Sequence, residues 1–198
     1  MRLKVAVLIS GNGSNLQALI DTTKQTDYPA EIVLVLSNKA DVYGLERAQK
    51  AGISTAIISH KDFPDRESFD RAMDGELKKH GAAFLCLAGF MRILSPWFVG
   101  EWAGKAINIH PSLLPAYKGT NTHKRVLEAG EKIHGCTVHW VTEELDSGAI
   151  IAQSSLEILP SDTPESLQQR VHQLEHQLYP ETLRKIATAK PPRRGEQG

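Results

Sequence analysis

The chain has 198 residues, 41% of them hydrophobic and 23% charged, with 15 glycines and 10 prolines. That composition suits one globular domain with a proper core and excludes an intrinsically disordered chain. Lys plus Arg and Asp plus Glu both number 23, so the formal charge is zero and the basic excess that drives nucleic-acid binding is missing.

Residues 5–9 (Val-Ala-Val-Leu-Ile) form a short apolar run stopped by Ser10-Gly11, the pattern of a strand buried on both faces. The run is too short for a signal core or a membrane span, and no longer one follows, so the sequence is read as soluble and cytoplasmic, with no membrane partner. Gly11-Asn12-Gly13-Ser14-Asn15 comes next, and Leu16, Ala18, Leu19 and Ile20 then open a helical pattern. Strands are expected at 32–36, 55–58 and 84–87, with helices at 45–50 and 66–79 between them. Strands alternating with helices predict a parallel sheet with right-handed crossovers. The two cysteines, Cys86 and Cys136, fall in apolar strand-like stretches and read as buried free thiols of a reducing compartment.

The second half differs. Residues 106–109 read as a strand, 111–115 as irregular and proline-rich, and 122–129 as a helix. Strands at 137–141 and 150–158 are separated by only a short loop, which suits an antiparallel hairpin. A long helix from about 164 to 186 closes the pattern, with Pro164 tolerated in its first turn and Pro180 expected to kink or split it. The fold class is therefore α/β: a single-domain, Rossmann-like, mostly parallel twisted sheet with antiparallel late strands and helices on both faces. Residues 1–188 form the domain, and the 189–198 tail, which lacks an apolar face, is expected to be disordered.

Three groups of residues carry chemistry. Gly11-Asn12-Gly13-Ser14-Asn15 sits at the end of a strand and the start of a helix, where free backbone N–H groups and the helix dipole favour an anion. The dinucleotide pattern fails, because Leu16 stands where a third glycine belongs and Ser37-Asn38 where an acidic ribose ligand belongs. A monophosphate site fits better, and a plain capped turn is the alternative. Asn108 and His110 alternate with Ile109 at a strand end and so share a face. One can donate to a developing oxyanion and the other can exchange protons near neutral pH. A carboxylate to orient and support the imidazole is expected in the 142–148 loop, where Asp146, Glu143 and Glu144 compete. Finally, His172-Gln173-Leu174-Glu175-His176 fits a zinc-protease pattern, but no third ligand is evident and no metal is expected.

These segments carry a resemblance. Ser10–Leu16, Leu-Ala-Gly-Phe-Met-Arg-Ile-Leu at 87–94, Asn-Ile-His-Pro-Ser-Leu-Leu-Pro at 108–115 and Glu-Leu-Asp-Ser-Gly at 144–148 resemble, in order and spacing, the signature blocks of the phosphoribosylglycinamide formyltransferase family. The likeness runs from residue 5 to about 187. It implies an enzyme of purine synthesis that takes 10-formyltetrahydrofolate as co-substrate, uses no metal, and is a monomer or homodimer. It implies Asn108, His110 and Asp146 as the catalytic trio, and Gly13, Ser14, Asn15 and Glu175 as contacts to the glycinamide ribonucleotide. It further implies Arg66, Met91, Arg92, Ile93, Leu94 and Asn108, with Val141, Thr142, Glu143, Glu144, Leu145 and Asp146, as folate contacts. Lys118, the Thr120-Asn121-Thr122-His123 segment and His172 depart from the family's pattern, and Leu114–Pro115 is a peptide commonly cis in it. Two relatives of similar chemistry are set aside. A formylfolate hydrolase would lack this phosphate loop, and a transfer-RNA formyltransferase would need a further RNA-binding domain and a basic surface.

Overall fold

The computed structural model describes residues 1–189; residues 190–198, on which most of the expected tail falls, lie outside the described residues. In chain order the elements are β1 (Leu3–Ile9), α1 (Ser14–Thr23), β2 (Ala30–Ser37), α2 (Tyr43–Lys50), β3 (Thr55–Ile57), a 3-10 turn at His60–Asp62, α3 (Arg66–Lys79), β4 (Phe84–Leu87), α4 (Pro96–Glu101), β5 (Ala106–His110), α5 (Thr122–Glu128), β6 (Ile133–Trp140), β7 (Ile150–Glu157) and α6 (Pro164–Thr188). The strands form one seven-stranded sheet in the order β3-β2-β1-β4-β5-β6-β7. Neighbours from β3 to β5 are parallel, whereas β5–β6 and β6–β7 are antiparallel. The late reversal thus begins one strand earlier than the hairpin alone predicted.

Two apolar layers sandwich the sheet, as the unbroken hydrophobic runs of a doubly covered parallel sheet require. Val5, Val7, Ile9, Ile107 and Ile109 pack on the side of α1 and α6, while Ala6, Leu8, Leu85 and Leu87 pack against Phe69, Met73 and Phe98 of α3 and α4. Cys86 and Cys136 are buried and unbridged. Burial pushes both thiols up to about 12, which leaves them inert packing groups.

Two expectations needed revision. Helix α4 was not anticipated, although Ser95 accepts from the Phe98 N–H and Pro96 opens the first turn, which is a recognisable helix start. Pro180 does not split α6, which is assigned as helix from Pro164 to Thr188. Its surroundings hold it there: Pro180 is buried, and its carbonyl accepts the Tyr28 hydroxyl at 2.6 Å. One residue earlier, the buried Tyr179 hydroxyl donates to the carbonyls of Leu87 and Ile107 at 2.9 and 3.2 Å. That contact bolts α6 to the two central strands beneath the site.

Candidate active site

The alternation of β5 sends Ile107 and Ile109 into one apolar layer, and Asn108 and His110 to the opposite face. His110 is 5% exposed and Asp146 8% exposed. The Nδ1 of His110 lies 3.4 Å from Asp146 Oδ2, and its Nε2 lies 3.0 Å from the Tyr117 carbonyl oxygen. Both ring nitrogens thus face oxygen acceptors. Asp146 reaches this position with φ of 51°, in the left-handed region, and its Oδ2 also accepts the Gly119 N–H at 2.9 Å. Glu143 and Glu144, the competing carboxylates of that loop, are exposed.

Asn108 is oriented by a residue the sequence reading missed. Its Nδ2 lies 3.1 Å from His139 Nε2, and the other ring nitrogen of His139 lies 2.9 Å from the Trp140 carbonyl. With Asn108 Nδ2 as the donor, His139 is neutral, its Nδ1–H donating to Trp140 and its Nε2 accepting from Asn108, and the same Nε2 lies 3.7 Å from Asp146 Oδ1. Burial lowers the His139 pKa, in keeping with that form. The imidazole thereby holds the Asn108 amide in place. Spacing gave no sign of His139, because it meets Asn108 only through the β5–β6 register.

The opposite wall comes from α1 and α6. Gly13 precedes α1 in the left-handed region at φ 76°, and Asn15 Nδ2 donates to Glu175 Oε2 at 2.9 Å. Glu175 is 3% exposed, and burial, opposed by the Asn15 hydrogen bond, pushes its carboxyl up to about 7. His172 Nε2 lies 4.0 Å from the same carboxylate, and the His172 and His176 rings stack with centroids 6.0 Å apart. Asn15 Oδ1 and His176 Nε2 are buried without a protein partner. Among the described residues, no group of three or more His, Cys, Asp or Glu side chains is arranged to hold a metal ion.

A cavity of about 720 Å³ joins the two walls and is lined by Asn15, Asn108, His110, Asp146, His172 and Glu175, among others. Gly13 and Ser14 sit beside Asn15 at the helix start, not in the cavity lining. A smaller hollow of about 70 Å³ opens beside Asn108, walled by Phe90, Arg92, Ile93 and Leu94 on one side and by Val141, Thr142, Glu143, Glu144, Leu145 and Asp146 on the other. Met91 borders the large cavity instead, and its N–H is held by Ser10 Oγ at 2.8 Å. Arg66 is brought to neither: it lines a separate surface cleft of about 490 Å³ at the start of α3, shared with Arg71 and Ser95. Lys118 ties its own loop to the 142–148 loop, with Nζ 3.3 Å from Glu144 Oε1 and 2.5 Å from Ser147 Oγ. The Leu114–Pro115 peptide is cis.

A family model described as formyl transferase matches residues 3–183. A trifunctional purine biosynthetic protein adenosine-3 of Chironomus tentans is 56% identical over 187 residues, covering 93% of this chain and 14% of that protein. The chicken counterpart is 54% identical over 187 residues, covering 94% of this chain and 19% of its own length, so the chain spans under a fifth of such relatives. The phosphoribosylglycinamide formyltransferase of Escherichia coli K12 is 47% identical over 178 residues, covering 90% of this chain and 84% of that one. A crystal structure of phosphoribosylglycinamide formyltransferase from Brucella melitensis superposes with a TM-score of 0.91 at 45% identity, covering 97% of this chain and 99% of that one.

Proposed function

The chain belongs to the phosphoribosylglycinamide formyltransferase family, and from that membership we propose that it passes the formyl group of 10-formyltetrahydrofolate to the amine of N1-(5-phospho-D-ribosyl)glycinamide in purine synthesis. The observation that carries the reading is the buried His110–Asp146 pair, 3.4 Å apart, opening onto the same cavity as Asn15 and Glu175. One pocket thus offers proton-transfer groups at one end and a polar grip for a ribonucleotide at the other.

In this reading Asn108 and His110 donate hydrogen bonds to the oxygen that gains negative charge as the amine adds to the formyl carbon; the adduct then collapses by breaking the bond from that carbon to folate N10, which leaves with the proton the amine gives up. Asp146 holds the imidazole ring and supports its charge. His139 keeps the Asn108 donors aimed, so no reorganisation of the amide is needed at the moment of reaction. The Nε2–H of His110 rests on the Tyr117 carbonyl, and the formyl oxygen would compete with that carbonyl for it. The 115–121 loop therefore yields as charge develops. No covalent enzyme intermediate is required, in keeping with buried, inert cysteines.

Glu175 would accept from the ribose hydroxyls, and the Gly13-Ser14-Asn15 turn would meet the phosphate. The hollow between the 90–94 and 141–146 segments would take the flat pterin of the co-substrate, as an apolar slot edged with backbone polar groups can. Met91, bordering the large cavity, would lie along the folate beside that hollow, and Arg66, in its own cleft at the start of α3, would meet only a tail of the co-substrate that extends beyond it. Among the described residues no helix is long and apolar enough to cross a membrane, and buried free thiols suit the cytoplasm, where we place the reaction.

The test combines the protein with 10-formyltetrahydrofolate and the ribonucleotide and follows tetrahydrofolate. Release that depends on the acceptor is expected. Formate release at the same rate without acceptor would overturn the reading in favour of a hydrolase.

A further inference from the structure

We propose that Arg47, on α2, is a positioning residue for the phosphate turn: by holding the Asn12 carbonyl it sets which way the Gly13 N–H points, while the Gly44 N–H does the same for the Asn12 N–H through the Gly11 carbonyl. The inference rests on the ribonucleotide reading above and concerns the same turn. The Gly44 N–H, in the first turn of α2, donates to the Gly11 carbonyl at 3.1 Å. One turn later Arg47 grips the next residue: Nε donates to the Asn12 carbonyl at 2.9 Å and Nη2 to Asn12 Oδ1 at 3.0 Å. Its remaining terminal nitrogen donates to Gln17 Oε1 at 3.2 Å, and the guanidinium lies 4.5 Å from the centre of the Tyr43 ring.

The consequence follows from peptide geometry. In a trans peptide the carbonyl and the N–H point in opposite directions. With the Gly11 and Asn12 carbonyls both drawn to α2, the N–H groups of Asn12 and Gly13 are turned away from it. Successive N–H groups aligned ahead of a helix start form a concavity for an anion. The backbones interlock closely enough to hold that alignment, since a Cβ on Gly13 would stand 2.8 Å from the Gly44 Cα.

Arg47 donates from all three of its nitrogens to α1 and the turn before it, so it acts through the turn and not as a direct ligand. Its charge also reaches α6: Arg47 is one of the causes, after burial and His172, that disfavour protonation of His176. A fixed cation behind the turn adds to its positive potential.

The experiment compares steady-state kinetics of the intact protein with R47Q and R47K. Loss of the fork should raise the KM for the ribonucleotide about tenfold in R47Q, while kcat and the KM for 10-formyltetrahydrofolate stay within about twofold. R47K keeps the charge but cannot span both Asn12 acceptors, so its rise should be smaller and confined to the same KM. An unchanged ribonucleotide KM in a folded R47Q, or equal losses for both substrates, would overturn the inference. If R47Q does not fold, R47K decides on the same criterion. Absence of formyl transfer in the unmodified protein would instead overturn the functional reading.

Discussion

Glu175→Gln should make the protein more stable in mild alkali while weakening its grip on the ribonucleotide. The carboxyl is 3% exposed, and its pKa rises from 4.5 to about 7, chiefly through burial, with only the Asn15 amide in opposition. A raised folded-state pKa means that the folded chain prefers the protonated form. Stability from this group is therefore complete below pH 4.5 and lost as the pH climbs through about 7. At about 1.4 kcal/mol per pKa unit, the ionised carboxylate costs the fold about 3 kcal/mol above that window. Glutamine keeps an acceptor for Asn15 but never ionises. The variant should thus melt about 6–12 °C above the unmodified protein at pH 8.5, and within a few degrees of it at pH 5. Thermal denaturation followed by circular dichroism at the two pH values measures the effect. A melting difference that is the same at both would refute the reasoning. The KM for the ribonucleotide should rise in parallel, because an amide offers the ribose hydroxyls a single uncharged acceptor.

Three further outcomes are expected. Asp146→Asn, which removes the charge 3.4 Å from His110, should lower kcat by about a hundredfold or more with little change in either KM; initial rates across neutral pH check it, and an undiminished kcat removes Asp146 from its role. Asn108→Ala should cost about 10²–10³ in kcat, the scale of one lost oxyanion donor, measured at saturating concentrations of both substrates. Lys118→Met should raise the KM for the formylfolate about twofold to fivefold at low ionic strength and not at high salt, because the Lys118–Glu144 pair is exposed and easily screened. A salt series on both proteins tests this.

What could be read from sequence was whatever depends on local periodicity. The period-two alternation of β5 put Asn108 and His110 on one face and Ile109 in the core, and the glycine-rich turn before α1 marked where the strand hands over to a helix start. What could not be read depends on partners distant in sequence. His139 meets Asn108 only through antiparallel register, while Tyr117 and Gly119 meet His110 and Asp146 only through the shape of a loop. Choosing Asp146 over Glu143 and Glu144 needed the family resemblance, since the three carboxylates differ by burial and not by spacing. Arg66 was grouped with Arg92 by resemblance, yet α3 carries it to a neighbouring cleft. Local rules also mislead where tertiary contacts outweigh them. Pro180 should break a helix, but its buried place and the hydrogen bond from Tyr28 to its carbonyl keep it inside one. The start of α4, by contrast, was visible in Ser95-Pro96 and was passed over.

The Tyr179 hydroxyl, shared between the Leu87 and Ile107 carbonyls, makes α6 and the centre of the sheet a single rigid piece. Glu175 stands one turn before Tyr179 on that helix, and Asn108 follows Ile107 on its strand. In the proposed reading, the span from Glu175 to Asn108 and His110 is thus a caliper set at one opening. An acceptor with its amine one bond nearer to the ribose, or one bond farther away, would be held as firmly and would miss the formyl carbon. Discrimination by reach should therefore appear in turnover and leave affinity nearly untouched.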